Sequence, residues 1–283
     1  EERVQLKLEA RSPDGALSLL AKPEFFHDAV DDPPAWLRAD KFGADLREGY
    51  LDYARDAWDV RVGRQIITWG VGDLVFINDV FPKDYAAFFS GRPLEYLKLG
   101  ADAIDVNFQS EALSAELVVM PPGLFTSDHL PPRNRFFQFD PFPALPRDTD
   151  DPAAKLTNTE TALRLYRTVS DTELSVYAYH GFWRSSALKP DDSASPSRAV
   201  EFFPELATFG ASARRSGLGG VWSTEVGYYD SLDDPRGDDP AVENSQFRFL
   251  LAYQRQLAED FTAGVEYYGE WMQAHADYRR SLP

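Results

Sequence analysis

The chain has 283 residues, a formal net charge of −17 from 46 acidic and 29 basic side chains, no cysteine, and 14% aromatic residues. The charge excludes a nucleic-acid binder driven by counterion release, and the lack of cysteine excludes disulfide scaffolds, thiol catalysis and cysteine-type zinc centres. Six Trp, thirteen Tyr and twenty Phe carry more burial than a disordered tail, and no run approaches the roughly 18 apolar residues of a transmembrane helix.

In chain order, the dominant signal is a period of two. Val4, Leu6, Leu8 and Ala10 alternate with Gln5, Lys7 and Glu9, and Val60 and Val62 alternate with Asp59, Arg61 and Gly63. Ile104, Val106 and Phe108 alternate with Asp105, Asn107 and Gln109, then Leu113, Ala115, Leu117 and Val119 with Ser114 and Glu116. The clearest pair comes last: Phe247, Phe249, Leu251 and Tyr253 oppose Arg248, Gln254 and Gln256, and Phe261, Ala263, Val265 and Tyr267 oppose Thr262, Glu266 and Tyr268. Helical periodicity is almost absent, so the fold class is all-β.

Short turns at 170–172, 216–220 and 258–260 join neighbouring strands as hairpins. Long segments rich in Pro, Asp and Ser lie between them at 22–40, 70–99, 121–156, 185–204 and 230–243. This alternation puts the long loops at one end of an up-and-down antiparallel meander, the layout of a transmembrane β-barrel. Alternation of side chains also suits a soluble sandwich, but strands of about ten residues match a tilted crossing of the apolar band. Aromatic residues gather at strand ends: Tyr50, Tyr53, Trp58, Trp69, Tyr177, Tyr179, Phe182, Trp183, Tyr228, Tyr229, Tyr267, Tyr268 and Trp271. The expectation is one barrel domain over 1–283, with about eleven strands visible, an odd number that points to a barrel of about fourteen or more continuing past the C-terminus.

The run 46–84, LREGYLDYARDAWDVRVGRQIITWGVGDLVFINDVFPKD, resembles a segment of Gram-negative outer-membrane porin-like barrels, including alginate-export-type families. Arg47, Tyr50 and Asp52 form one strand motif, Val62 to Gln65 a second, followed by Trp69-Gly70 and the Asp-rich stretch Asp73, Asn78 and Asp79. The resemblance implies an outer-membrane channel through which small or polymeric polar solutes diffuse or are exported, with no enzyme activity and no cofactor. Its partners would be outer-membrane lipid and lipopolysaccharide, a polar solute, and no nucleic acid. The residues by themselves leave a second class open: a soluble periplasmic or secreted β-rich carbohydrate-active enzyme or binding module whose aromatic loops stack on sugars.

For a pore, the candidate lining and constriction residues are Arg47, Arg61, Gln65, Asp73, Asp79, Asp84, Arg92, Asp105, Glu116 and Arg248. Guanidinium groups opposite carboxylates on a lumen wall select solutes by charge and size; the alternative is that the pairs only brace the wall. Arg61 and Gln65 share a face, whereas Arg64 falls with Val60 and Val62 unless a bulge intervenes near Gly63. The loop 70–99 mixes charges with Phe76, Phe81, Phe88 and Phe89, which suits either insertion into the pore, aromatics to the wall and charges to the solute, or capping from outside. The loop 121–156, with eight prolines and Phe136, Phe137, Phe139 and Phe142, is expected to pack across the mouth. Acidic clusters such as Asp233, Asp234, Asp238 and Asp239 lack calcium-loop spacing, and the scattered His27, His129, His180 and His275 form no metal motif. There is no nucleophile elbow, so no catalytic residue and no metal ligand is assigned.

Overall fold

A computed structural model describes residues 2–29, 37–39, 41–72, 75–130 and 140–282. The strands in chain order are β1 (Glu2–Gln5), β2 (Leu8–Arg11), β3 (Leu17–His27), β4 (Leu37–Ala39), β5 (Phe42–Arg55), β6 (Trp58–Gln65), β7 (Ala101–Phe108), β8 (Ser114–Met120) and β9 (Arg147–Asp150). After these come β10 (Glu160–Val169), β11 (Thr172–Phe182), β12 (Ala187–Pro190), β13 (Ala199–Phe202), β14 (Glu205–Gly217), β15 (Gly220–Ser231), β16 (Gln246–Ala258) and β17 (Phe261–Met272). Two short helices, α1 (Tyr85–Phe89) and α2 (His275–Ser281), complete the set with single turns at Leu94–Leu97 and Leu156–Asn158.

Fourteen of these strands form one antiparallel sheet in the order β1-β3-β5-β6-β7-β8-β10-β11-β14-β15-β16-β17, with β2 also on β3 and β4 also on β5. Since β1 and β2 share one position beside β3, the path has one more strand than the about eleven that periodicity suggests. Consecutive strands of the path are neighbours, so the meander is up-and-down. Short and long connections alternate without exception along it: 56–57, 109–113, 170–171, 218–219 and 259–260 are tight, and the segments between them are long. The hairpin at Leu218 and Gly219 has φ of 53° and 76°, the pair of positive values that a two-residue turn needs to match strand twist.

The long loops depart from expectation at their edges. Residues 22–27 belong to β3, not to a loop: Pro23, read as a strand breaker, sits where the register against β5 shifts between Lys22 and Pro23. A bulge is where a strand tolerates a residue without an N–H, and the Pro23 carbonyl still accepts from Leu6 at 3.0 Å. The loops 121–156 and 185–204 contribute β9, β12 and β13 to a separate three-stranded sheet, in which β13 pairs parallel with β9. Phe136, Phe137 and Phe139 lie outside the described residues. Near Gly63 no bulge interrupts the register; Gly63 takes a φ of 131°, and Arg64 pairs with Asp102 of β7 at 2.9 Å.

The two faces of the sheet invert the pattern of a water-soluble protein. Leu51, Leu117, Val176, Phe209, Val226, Phe249, Leu251 and Val265 are exposed on the outer face. Glu116, Ser175, Ser212, Ser223 and Glu225 are buried on the inner one. Outward aromatic pairs mark both ends of the apolar face, Trp58–Phe108 and Trp222–Tyr253 toward the short turns and Tyr228–Phe247 toward the long loops. An outer apolar band between aromatic rings suits a hydrocarbon slab. Leu251→Arg, near the middle of β16, is therefore expected to destabilise folding into lipid vesicles by about 2–4 kcal/mol. Gln254→Arg, on the inner face of the same strand, is expected to cost less than about 1 kcal/mol, both read from denaturant titrations in vesicles.

Candidate functional site

The segment 66–100 between β6 and β7 folds against the inner face. Its Ile67, Trp69, Ile77, Val80 and Phe81 form one buried cluster with Ala101 and Ala103 of β7, Val118 and Met120 of β8, Ala162 of β10, Tyr177 and Tyr179 of β11, Tyr229 of β15 and Leu250 of β16. Six steps of strand separate β6 from β15, about 29 Å in a flat sheet, so one short segment touches all these strands because the sheet curls around it. Trp69 packs edge-on against Phe81 at 5.1 Å and tilted against Tyr177 at 5.7 Å.

Its anchor is Glu225 of β15, 1% exposed. One carboxylate oxygen accepts the N–H groups of Val71 at 2.9 Å and Gly72 at 3.2 Å; the other accepts the N–H of Asn78 at 2.6 Å and its Nδ2 at 2.9 Å. The seat is carved by glycines. A Cβ on Gly210 would lie 1.8 Å from Asn78 Oδ1, one on Gly227 2.6 Å from Ile77 Cγ2, and one on Gly70, whose φ is 80°, 2.6 Å from Glu225 Oε1. Gly210 and Gly227 are direct partners across β14 and β15. The Tyr229 hydroxyl donates to the Ile77 carbonyl, and Arg184 Nε to the Val80 carbonyl at 3.2 Å.

Toward the long loops the segment's charges turn inward on each other. Lys83 donates to Asp79 Oδ1 at 2.8 Å and to the Phe81 carbonyl at 2.5 Å, while Lys98 takes the other Asp79 oxygen at 2.6 Å. Burial pushes the Lys83 ammonium down from the ordinary lysine range, against the pull of Asp79. Asp84 caps α1 by accepting from Ala87 at 2.8 Å, meets His129 at 2.9 Å, and faces Arg92 at 3.6 Å. Arg92 also pairs with Asp28 at 3.3 Å. Asp128, whose carboxyl burial pushes up, accepts from the Lys83 N–H at 2.8 Å. Arg184 bridges the Thr126 carbonyl at 3.1 Å and Glu160 at 2.9 Å.

The expectation that the segment's aromatics face the wall and its charges the solute is therefore corrected in part. Phe81 does pack inward, but Asp79 and Asp84 are each 5% exposed, because a segment that fills the interior must neutralise the charges it carries in. Arg92 lies in the same bracing. Arg47 donates to the Glu95 carbonyl and lies over the Tyr96 ring at 4.6 Å, securing the far end of the segment. Gln65, expected on the pore surface, is fully buried and donates to the Ala103 carbonyl at 3.2 Å. Asp73 lies outside the described residues.

Toward the short turns three candidates do come together on one wall. Register places Asp52, Arg61 and Asp105 in one row across β5, β6 and β7, and Asp59, Asn107, Glu116 and Arg164 in the next row across β6, β7, β8 and β10. Arg61 lies over the Tyr50 ring at 4.6 Å, Arg164 pairs with Glu116 at 3.5 Å, and Tyr166 donates to Asn107 at 3.0 Å. The patch carries four carboxylates against two guanidinium groups. Arg248, from the list of candidates, stands elsewhere: on β16, over the Tyr229 ring at 4.0 Å.

The family model described as a protein of unknown function, DUF1302, matches residues 24–261, and the chain belongs to that family. The likeness of 46–84 to alginate-export-type barrels thus holds only as a likeness of porin-like fold. No curated protein matches the sequence. Among solved structures, a loop L8 deletion mutant of OmpT, an outer membrane protein of Vibrio cholerae, superposes with a TM-score of 0.53 at 11% identity, over 96% of this chain and 74% of that one. The trimer form of OmpT gives 0.49 at 12% identity over 96% and 70%, and Salmonella typhi OmpF 0.49 at 7% over 95% and 70%. At such identities the likeness is one of fold: an all-β, up-and-down antiparallel sheet like that of outer-membrane barrels. Glu225→Ala is expected to leave four donors of the segment without their acceptor, at about 1–3 kcal/mol per buried group. Amide exchange at Val71, Gly72 and Asn78 should then accelerate about tenfold or more, while exchange in β16 and β17 changes little.

Proposed function

We propose that this member of the family is an outer-membrane barrel of a Gram-negative cell that passes small polar solutes through a lumen narrowed by its own segment 66–100. The observation that carries the reading is the segment itself: it lies on the inner face, fixed to Glu225, while the outer face is left apolar. An exposed apolar band of this extent is costly in water and favourable in lipid, which supports a bilayer and argues against a soluble sugar-active protein. The partners of that face are outer-membrane lipid and lipopolysaccharide. The protein catalyses no reaction on this reading, and what passes is set by size at the inserted segment and by charge at the wall beneath it. With four carboxylates facing two guanidinium groups, that wall favours cations.

The chain should need detergent for extraction and migrate anomalously on gels until boiled. In planar bilayers it should give discrete conductance steps, and replacing 84–97 by a short Gly-Ser link should raise the step about twofold or more. A chain that stays folded and monomeric in plain buffer, or a folded barrel without conductance, would overturn the reading. Arg61→Gln removes the cation from the row Asp52-Arg61-Asp105 and is expected to shift the reversal potential in a salt gradient further toward cation selectivity. Unchanged selectivity would mean that Arg61 only braces the wall.

A further inference from the structure

Between the inserted segment and the wall, on the side of the long loops, lies a cleft of about 110 Å³. Phe76, Phe81 and Tyr85 of the segment line it together with Trp183, Tyr229 and Arg248. The guanidinium of Arg248 lies flat over Tyr229 at 4.0 Å and 5.6 Å from the Trp183 ring, and the two rings are themselves 5.5 Å apart and tilted by 31°. Planar rings thus share the lining of the cleft with charged side chains, among them Asp79, Asp128, Arg184 and Glu243.

Its polar atoms divide unevenly. The cations Lys83 and Arg184 are saturated by Asp79, by Glu160 and by backbone carbonyls. The carboxylate of Asp79 is held by two lysines, and that of Asp128 by the Lys83 N–H and Ser185. Two buried atoms of side chains that line the cleft have no hydrogen-bond partner among the described residues: Nε1 of Trp183, a side chain 6% exposed, and Nε of Arg248. The Arg248 guanidinium faces two carboxylates without closing a hydrogen bond at Nε: a terminal nitrogen lies 3.5 Å from Glu243, which also lines the cleft, and Nε lies 3.6 Å from Glu270, beyond hydrogen-bonding distance. Both orphaned atoms are donors, and no orphaned acceptor borders the cleft. Buried donors are completed by an acceptor.

We propose that this cleft is a solute subsite for a small planar carboxylate, a single-ring aromatic acid being the class that fits. The ring slots between Phe76 and Trp183, and the carboxylate accepts from Trp183 Nε1 and Arg248 Nε. A planar guanidinium is the group suited to hold a carboxylate in one orientation. A sugar polymer is excluded by the size of the cleft, and a cation by the sign of its unmet hydrogen bonds. The subsite rests on the channel reading in that it lies at the mouth of the proposed lumen. It also adds to that reading: below the segment the wall is acid-rich, so an anion held above it is retained at the mouth and meets an unfavourable wall beyond.

The test is calorimetric titration of the full chain in detergent micelles with benzoate, benzyl alcohol, benzylamine and acetate. Benzoate should bind saturably, and the other three about tenfold more weakly or not at all. Trp183→Phe, which keeps the ring and removes the N–H, and Arg248→Gln should each weaken benzoate about fivefold or more, with gel migration before boiling showing that both variants are folded. Benzyl alcohol binding as tightly as benzoate, benzylamine binding best, or benzoate indifferent to both substitutions overturns the subsite. Conductance recorded on the same preparations separates the two readings. A barrel that conducts without binding benzoate overturns the subsite alone, and one that binds benzoate without conducting overturns the channel alone.

Discussion

One carboxylate holds the interior of this protein. Glu225 accepts four N–H donors from residues 71–78, and each hydrogen bond to a charged group in a buried place contributes about 1.5–3 kcal/mol. Without them a segment that crosses the interior would lose backbone freedom at about 1–2 kcal/mol per residue and present unpaired amides to an apolar surface. The glycines at 70, 210 and 227 matter for the same reason, since a side chain there would meet Glu225, Asn78 or Ile77 respectively and push the segment off its seat. Ile77 and Phe81 then supply apolar contact that a freely solvated loop would not. Anchor and apolar contact depend on each other: the hydrogen bonds fix where Ile77 lies, and Ile77 keeps water away from the hydrogen bonds.

That anchorage divides the lumen into two electrostatic levels. At the level of the segment, carboxylates are matched by cations, Asp79 by Lys83 and Lys98, Asp84 by Arg92, Glu160 by Arg184. Close packing leaves little water to solvate an unmatched ion, so matching is the condition for burial. Below it, the wall of β5 to β8 keeps an excess of acid. The net charge of −17 is thus no single property: at the segment it is cancelled, and on the wall it leaves a local excess of negative field.

The strands were legible in the sequence because their two faces meet different solvents. Phe247, Phe249 and Leu251 against Arg248 and Gln254 can be read without a structure, and the alternation of short and long connections follows from turn chemistry at 170–171 and 218–219. Pro23 misled because a bulge is a tertiary event: nothing local to Lys22-Pro23 shows that β5 has a spare residue opposite. The pore candidates were legible in part. Arg61, Asp105 and Glu116 meet because period and register agree along β6, β7 and β8. Asp79, Asp84 and Gln65 are charged or polar residues whose role was decided by burial, which composition does not encode. Glu225 stood among several strand carboxylates with nothing to single it out. Its signal, the facing pair Gly210 and Gly227 two register positions away, exists only once β14 and β15 are aligned.

On the proposed channel reading, selectivity has to come from the wall more than from motion of the segment. A gate needs two arrangements of similar free energy, and here an alternative position for 66–100 would have to replace four bonds to Glu225, the Tyr229 and Arg184 bonds to its carbonyls, and the contacts of Ile77, Trp69 and Phe81 all at once. Among the described residues, nothing else on the inner face offers a buried acceptor flanked by two glycines. The segment is therefore a fixed part of the fold, and on the channel reading it would set a size limit. Discrimination between solutes that pass that limit falls to groups whose hydrogen bonds or charges are incompletely met, the row around Arg61 below the segment and the donors of Trp183 and Arg248 above it.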